Sequence, residues 1–277
     1  MCHVAEHGAS IVLPSPAFPA MPVMAHAWGL KVRPYLLDRE AAFAHSAALV
    51  LGAVESDTRL VLVNTPNNPT GAVMDEEATA ALASALAERG IPLLVDEVYH
   101  PLYFGPSVAS AAKTPNAIVV SDFSKAFSLS GLRIGWLIDR DARRREELID
   151  LRSYFTVSSS PLTEALAAFA LGKSGEVLAK LSAVAQGNLA ALKQFMDAHR
   201  DRIGWVPPRG GTVSFPWRLD GRDARPLCEA LAREGVLVAP GDCFAAPEHF
   251  RIGIGAQSSG FDQALGIAAQ VLGRAMP

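Results

Sequence analysis

Residues 58–71 read TRLVLVNTPNNPTG, a short apolar run that passes directly into a loop of prolines, asparagines and a glycine. Comparable apolar runs occur elsewhere along the N-terminal half, at residues 11–13 (IVL), 92–96 (PLLVD), 117–121 (AIVVS) and 133–138 (RIGWLI). They alternate with Ala- and Leu-rich segments of helical pattern. This alternation predicts an α/β fold with a mostly parallel sheet.

The helical segments and the C-terminal region indicate a second domain. Residues 75–89 begin with acidic residues and end before Gly90 and Pro92, which predicts a helix. Helical composition from 161 to 199, broken near 172–175, predicts one or two long helices that span a domain boundary. We place a large domain at 1–183 and a smaller C-terminal α+β domain at 184–277. The elements predicted in the smaller domain are strands at 212–217, 236–238 and 250–254 and helices at 223–234 and from about 260.

Composition restricts the class of protein. Half of the 277 residues are hydrophobic, and 25 Lys and Arg against 28 Asp and Glu give a net charge of −3. This balance is typical of a globular chain and argues against a nucleic-acid partner. Three widely spaced cysteines favour a reducing compartment, so we expect a cytoplasmic protein. The sequence shows no secretory signal and no apolar run of membrane-spanning length, so no membrane association is expected.

Polar residues follow three of the predicted strands. Ligands bind at the carboxyl ends of strands in open α/β sheets, so we expect chemistry in these three loops. Asp96 ends an apolar run, where a carboxylate needs a partner or water nearby. Lys125 lies among serines and a glycine, and a buried lysine with a lowered pKa is what Schiff-base chemistry requires. No metal site is predicted.

Three motifs on successive loops, NTPNNPTG (64–71), DEVY (96–99) and SDFSKAFSLSGLRIGW (121–136), closely resemble the signature of class I/II aminotransferases. These are pyridoxal-phosphate enzymes of fold type I with a three-layer large domain. The resemblance extends to SPAFP (15–19), RGGTVSF (209–215), VLVAPGDCF (236–244) and FRIGIG (250–255). It implies reversible transfer of an amino group between an amino acid and a 2-oxo acid, with pyridoxal 5'-phosphate as cofactor, in a homodimer.

The resemblance also assigns catalytic roles to residues of this chain. Lys125 would form a Schiff base with the cofactor aldehyde and later move the proton of the substrate α-carbon. Asp96 would pair with the pyridine nitrogen and keep it protonated. Tyr99 and Asn68 would hydrogen-bond the phenolic oxygen of the cofactor.

The remaining roles concern the phosphate, the ring face and the substrate. Ser124 and Arg133 would hold the phosphate, and Phe18 would stack on the ring. Arg251 would bind the substrate α-carboxylate, with Asn68 beside it; the guanidinium fork suits this bidentate task.

The sequence departs from the family at its beginning and at one position near the lysine. The match starts inside the large domain, so about a hundred residues are expected to be lacking, among them a glycine-rich loop that would bind the phosphate at a helix N-terminus. We therefore expect weak cofactor binding and exposed apolar surface at the first strand. Asp122 stands where the family often has Ser or Thr, and a carboxylate there would repel phosphate; we leave it outside the predicted site.

Two alternatives remain at this point. The same lysine and electron sink serve β-lyases, in which another bond at the α-carbon or β-carbon breaks. A different class of function is a non-catalytic remnant that keeps the fold.

Overall fold

The computed structural model describes residues 1–6, 8–255 and 260–275. Within them, the N-terminal part is built around a six-stranded sheet in the order β2-β1-β3-β4-β5-β6. Its strands are β1 (Ser10–Ser15), β2 (Lys31–Leu36), β3 (Thr58–Asn64), β4 (Leu93–Asp96), β5 (Ala117–Asp122) and β6 (Gly135–Asp139). The pairings are parallel except for β5 with β6, which is antiparallel. The predicted α/β fold with a mostly parallel sheet is confirmed.

Helices cover both faces of this sheet. The described helices are α1 (Ala20–Ala27), α2 (Ala47–Leu51), α3 (Glu76–Ala87), α4 (Ala142–Thr156), α5 (Pro161–Gly172), α6 (Ser174–Ala198), α7 (Arg225–Arg233) and α8 (Phe261–Ala275). Successive residues of β3 point to opposite faces. Val61 belongs to the core that contains Leu82 of α3, whereas Leu62 belongs to the core that contains Met21 of α1. Because both faces are covered, β3 is apolar on both sides, as central parallel strands are.

The C-terminal part contains its own helices and short strands. These strands are β7 (Ile203–Gly204), β8 (Val213–Ser214), β9 (Trp217–Arg218), β10 (Ala239–Pro240) and β11 (Phe250–Gly253). The single strand predicted at 212–217 is divided between β8 and β9, and the strand predicted at 236–238 is found later, at β10. Val236 and Val238 pack against the core of the C-terminal part, whereas Leu237 between them is 85% exposed. Helix α6 passes through residue 183, and the domain boundary placed there stays a prediction.

The two parts of the chain share apolar contacts. Phe215 and Phe244, both from the C-terminal part, lie in the same buried cluster as Val63 and Leu82 of the N-terminal part. Phe43 packs against Phe215 with ring centroids 6.4 Å apart, and Phe215 meets Phe244 edge to face at 5.5 Å. Residues from the C-terminal part are therefore fixed relative to the carboxyl end of the large sheet.

Exposed apolar side chains lie on β6, α4 and α5, and also on α1 and β2, rather than on β1. Helix α4 has no buried residue, and its Tyr154 is 78% exposed. Phe169 of α5 and Leu137 of the edge strand β6 are also exposed. The expectation for the first strand is wrong, because β1 lies inside the sheet between β2 and β3 and is buried along most of its length. Among the described helices, none is both long and apolar enough to cross a bilayer.

We expect Leu82→Ala to lower the free energy of unfolding by about 2–5 kcal/mol, because Leu82 is fully buried in the core between α3 and the sheet. Urea denaturation followed by circular dichroism measures this change. The matched control is Leu162→Ala on the exposed side of α5, with an expected change within about 0.5 kcal/mol. Equal losses in the two variants would contradict the assigned core.

Candidate active site

The register of the sheet brings three predicted loops to one edge. Asn64 and Asp96 are the last residues of β3 and β4, and they pair directly across the two strands. Asp96 in turn pairs with Val120 of β5. A cavity of about 500 Å³ lies at this edge. The cavity is lined by all of the predicted site residues, namely Phe18, Asn68, Asp96, Tyr99, Ser124, Lys125, Arg133 and Arg251.

Asp96 contributes a partly buried carboxylate to the cavity. Its Oδ1 accepts a hydrogen bond from the backbone N–H of Val98 at 3.0 Å. Burial raises the pKa of Asp96 to about 6, and the negative charges of Asp122 and Glu97 act in the same direction. Among the ion pairs of the described residues, none involves Asp96. The sequence led us to expect a partner or water near this carboxylate, and the described residues supply the Val98 N–H but no cation.

Asn64 fixes the relative position of two neighbouring loops. Its Oδ1 accepts from the backbone N–H of Asn68 at 2.7 Å, and its Nδ2 donates to the carbonyl oxygen of Asp96 at 3.2 Å. The side chain is almost fully buried and lines the cavity. We did not predict Asn64 as a site residue, although it is the first residue of the NTPNNPTG motif.

The loop after β3 also contacts the C-terminal part. Gly71 has φ +71°, and its carbonyl oxygen accepts from the backbone N–H groups of Arg209 and Gly210 at 2.9 and 3.0 Å. A Cβ at this position would collide with Pro208. Glycine is thus required both by the backbone conformation and by the close approach of residues 208–210.

Arg251 reaches the cavity from β11. Its Nη1 donates to Oδ1 of Asn68 at 2.9 Å, and its guanidinium lies 5.2 Å from the ring centroid of Phe244. The Tyr99 side chain is buried nearby. Burial raises the pKa of Tyr99, whereas attraction to Arg251 and a hydrogen bond with Thr212 oppose that rise. The C-terminal part therefore supplies a fixed cation to this edge of the sheet.

Lys125 lines the cavity but differs from the expected buried lysine. Its side chain is exposed, because the cavity is open to solvent on the side of Lys125, Ser130 and Arg133 in the part of the chain that the structure describes. Arg133 is also exposed and has a left-handed backbone conformation, with φ 51°. Phe18, 45% exposed, lies on the wall formed after β1.

Asp122, which we left outside the predicted site, also lines the cavity. Its two carboxylate oxygens accept hydrogen bonds from the N–H and the hydroxyl of Ser124. Because Ser124 follows only two residues later, the carboxylate turns back towards the loop rather than away from the cavity.

A lysine, a carboxylate at a strand end, a tyrosine and two arginines around one cavity define a site for a cofactor with an aldehyde, a ring nitrogen and a phosphate. The model of the family "Aminotransferase class I and II" matches residues 1–266. The chain belongs to this family of pyridoxal-phosphate-dependent enzymes.

Relatives and solved structures agree with this assignment. The chain is 32% identical over 267 residues to capreomycidine synthase of Streptomyces vinaceus, with 95% of this chain and 68% of that protein covered. It is 34% identical over 227 residues to histidinol-phosphate aminotransferase 2 of Methylococcus capsulatus, with 79% and 57% covered. A pyridoxal-phosphate-dependent aminotransferase structure from Streptococcus suis superposes with a TM-score of 0.91 at 26% identity, with 98% and 72% covered.

An aspartate aminotransferase double mutant from Thermus thermophilus gives a TM-score of 0.90 at 25% identity, again with 98% of this chain and 72% of that chain covered. This chain therefore spans 68% and 57% of the length of these two relatives, and 72% of these two solved chains.

The residues present fit pyridoxal phosphate at the ring end of the cavity. The volume of about 500 Å³ lies in the range of small-molecule sites. A protonated ring nitrogen would supply the positive charge that Asp96 lacks among its described neighbours. At the phosphate end, Arg133 offers a cation, but the donors of Ser124 are already engaged by Asp122.

We expect Asp96→Asn to stabilise the cofactor-free protein by about 2 kcal/mol at pH 7–8. Because the pKa of Asp96 is raised, the folded wild type binds the proton of this carboxyl group more tightly than the unfolded chain does. The free energy of unfolding of the wild type therefore falls as the pH rises from about 4 through 6. The advantage of the variant should disappear near pH 4. Urea denaturation across this pH range measures it, with Asp150→Asn on the exposed helix α4 as the control; a pH-independent difference would contradict the assignment.

Asn64→Ala should both destabilise the fold and weaken cofactor binding. Loss of two buried hydrogen bonds is expected to lower the free energy of unfolding by about 1–3 kcal/mol. Displacement of Asn68 and Asp96 should raise the Kd for pyridoxal phosphate, measured by absorbance titration.

Asn116→Gly provides the matched control, because Asn116 donates to two backbone carbonyls outside the cavity and has φ 62°. It should lose stability without a change in Kd. If Asn64→Ala also leaves the Kd unchanged, Asn64 has only a structural role.

Proposed function

We propose that this chain binds pyridoxal 5'-phosphate in the cavity at the carboxyl edge of the sheet and transfers an amino group between an amino acid and a 2-oxo acid. The observation that carries the proposal is that Lys125, Asp96 and Arg251 line one cavity, with no described cation paired to Asp96. An amine, an acid and a carboxylate-binding fork are the groups that this reaction needs. When bound, the cofactor supplies an electron sink for the α-carbon of the substrate.

Asp96 would hold the ring nitrogen. Val98 keeps one oxygen of the carboxylate oriented through its backbone N–H. Desolvation of Asp96 strengthens its attraction for a protonated nitrogen, because charges interact more strongly where water is partly excluded. The carboxylate therefore keeps the proton on that nitrogen.

Lys125 would bind the aldehyde carbon and then act on the substrate. Its Nζ is the only lysine amine that lines the described part of the cavity. Once the amino group of the substrate has replaced Lys125 on the aldehyde carbon, the free Nζ can take the proton from the α-carbon of the substrate. General-base catalysis of this kind typically raises the reaction rate by about 10²–10⁴-fold. Tyr99 and Asn68, which line the same cavity, would hydrogen-bond the phenolic oxygen of the cofactor.

Arg251 would orient the substrate through its α-carboxylate. Its Nη1 is held by Asn68 and its plane lies over Phe244, so the fork is fixed before substrate arrives. The remaining N–H groups can bind a carboxylate, and a fixed fork loses less conformational entropy on binding. This contact selects amino acids and 2-oxo acids as a class, since it reads only the group they share.

A cytoplasmic homodimer is part of the proposal. Cys2, Cys228 and Cys243 are free, which suits a reducing compartment. The exposed apolar residues of α4, α5 and β6 support association with another polypeptide surface.

Reduction of a mixture of the protein and pyridoxal phosphate with borohydride should fix the cofactor to Lys125, identified by peptide mass spectrometry. Lys125→Ala should lose this labelled peptide and at least about 100-fold of the amino-acid-dependent formation of 2-oxo acid. The control Lys113→Ala removes an exposed lysine of another loop and should retain both.

Products distinguish the alternatives. A 2-oxo acid together with pyridoxamine phosphate supports the proposal, whereas release of ammonia and pyruvate would indicate β-elimination. Equal labelling of wild type and Lys125→Ala at the same peptides would contradict the role of Lys125.

A further inference from the structure

The end of the cavity at which Ser124 and Arg133 would hold the phosphate already contains a carboxylate of the protein, that of Asp122. Asp122 is the last residue of β5 and lines the cavity together with Ser124 and Arg133. The backbone N–H of Ser124 donates to Oδ1 of Asp122 at 2.7 Å, and the Ser124 hydroxyl donates to Oδ2 at 2.9 Å. One carboxylate thus accepts both hydrogen bonds that Ser124 can donate.

The nearby arginine is tied to the same arrangement. Nη1 of Arg133 donates to the Ser124 hydroxyl oxygen at 3.3 Å and to the Ser130 carbonyl oxygen at 3.1 Å. Because the hydroxyl oxygen accepts from Arg133, its proton points to Asp122 rather than into the cavity. No ion pair joins Arg133 to Asp122 within the described ranges.

A phosphate entering this end would meet two unfavourable conditions. The donors of Ser124 would have to leave Asp122, which would then lose two hydrogen bonds. A carboxylate and a phosphate in contact also repel each other, and the repulsion is strong where solvent is partly excluded. The negative charge of Asp122 already affects another carboxyl group of the cavity, since it helps to raise the pKa of Asp96.

We propose that Asp122 is a specificity-determining residue that occupies the donors of the phosphate subsite and makes the pocket discriminate against the phosphate group of its cofactor. The inference rests on the proposed function for the identity of the cofactor. In this sense discrimination means a reduced preference: the chain favours phosphorylated over unphosphorylated pyridoxal much less than a pocket with a free Ser124 would.

A purely structural role for Asp122 makes a different prediction. Side chains that accept from the N–H two residues later are common in turns and stabilise them locally. If Asp122 did only this, its replacement would lower stability and would affect phosphorylated and unphosphorylated ligands alike.

The test compares binding of three probes to the full chain: pyridoxal 5'-phosphate, pyridoxal and inorganic phosphate. The variants are Asp122→Ser, which removes the charge and frees Ser124, and Asp122→Asn, which removes the charge but keeps a turn acceptor. The matched control is Asp38→Asn, because Asp38 accepts from the N–H of Glu40 two residues later at 2.9 Å and does not line this cavity.

We expect Asp122→Ser to lower the Kd for pyridoxal phosphate by about tenfold or more, because the freed Ser124 can donate a charge-assisted hydrogen bond to the phosphate. The Kd for pyridoxal, which has no phosphate, should change by less than about twofold. Asp122→Asn should give a smaller decrease of the same kind. Inorganic phosphate should raise the Tm of Asp122→Ser but not of the wild type or of Asp38→Asn. These Kd values come from absorbance titration, and the Tm values from thermal unfolding.

Equal changes for pyridoxal and its phosphate, or equal stabilisation of wild type and Asp122→Ser by inorganic phosphate, would overturn the inference. Failure of the proposed function gives a separate result. If neither aldehyde binds any variant while inorganic phosphate stabilises only the Asp122 variants, the anion subsite stands and the cofactor assignment falls.

Discussion

The register between β3 and β4 is the constraint on which the site depends. It places Asn64 opposite Asp96 at the carboxyl edge of the sheet, and Asn64 then connects the backbone of Asn68 to that of Asp96. A slip of one residue would turn each side chain of the strand to the other face. Val61 and Leu62 pack into different cores, so a slip would exchange side chains of different shape between two filled cores. Packing on both faces of β3 therefore helps to fix the positions of the polar groups at its end.

The sequence predicts the central strands and the site residues well because both depend on strong local signals. Apolar runs that end in polar loops mark β3, β4 and β5, and the three motifs carry six of the eight predicted site residues, while Phe18 and Arg251 come from the further stretches at 15–19 and 250–255. Other elements lack such a signal. Helix α4 has no buried residue, and its residues 142–147 are mostly charged, while β2 is an edge strand whose residues are mostly exposed or half-buried.

Within the site, the sequence does not determine where side chains point. The motifs name Asn64 and Asp122, but only the turn geometry shows that Asn64 bridges two loops and that Asp122 turns back to Ser124. Exposure of Lys125 is a similar case, since it depends on what covers the open side of the cavity. Both Asp96 and Asp122 are anions that the fold keeps in or beside partly buried surroundings. Burial raises the pKa of Asp96, and carboxyl groups with such a shift in a cavity often belong to functional sites.

The apolar surface of β6, α4 and α5 has a practical consequence for work with the purified chain. Edge strands and large exposed aromatic side chains adsorb to plastic and to air–water interfaces and promote self-association. The colloidal behaviour of the protein, and with it the usable concentration range of any assay, is expected to depend on this outer region, which reaches the cavity at Arg133.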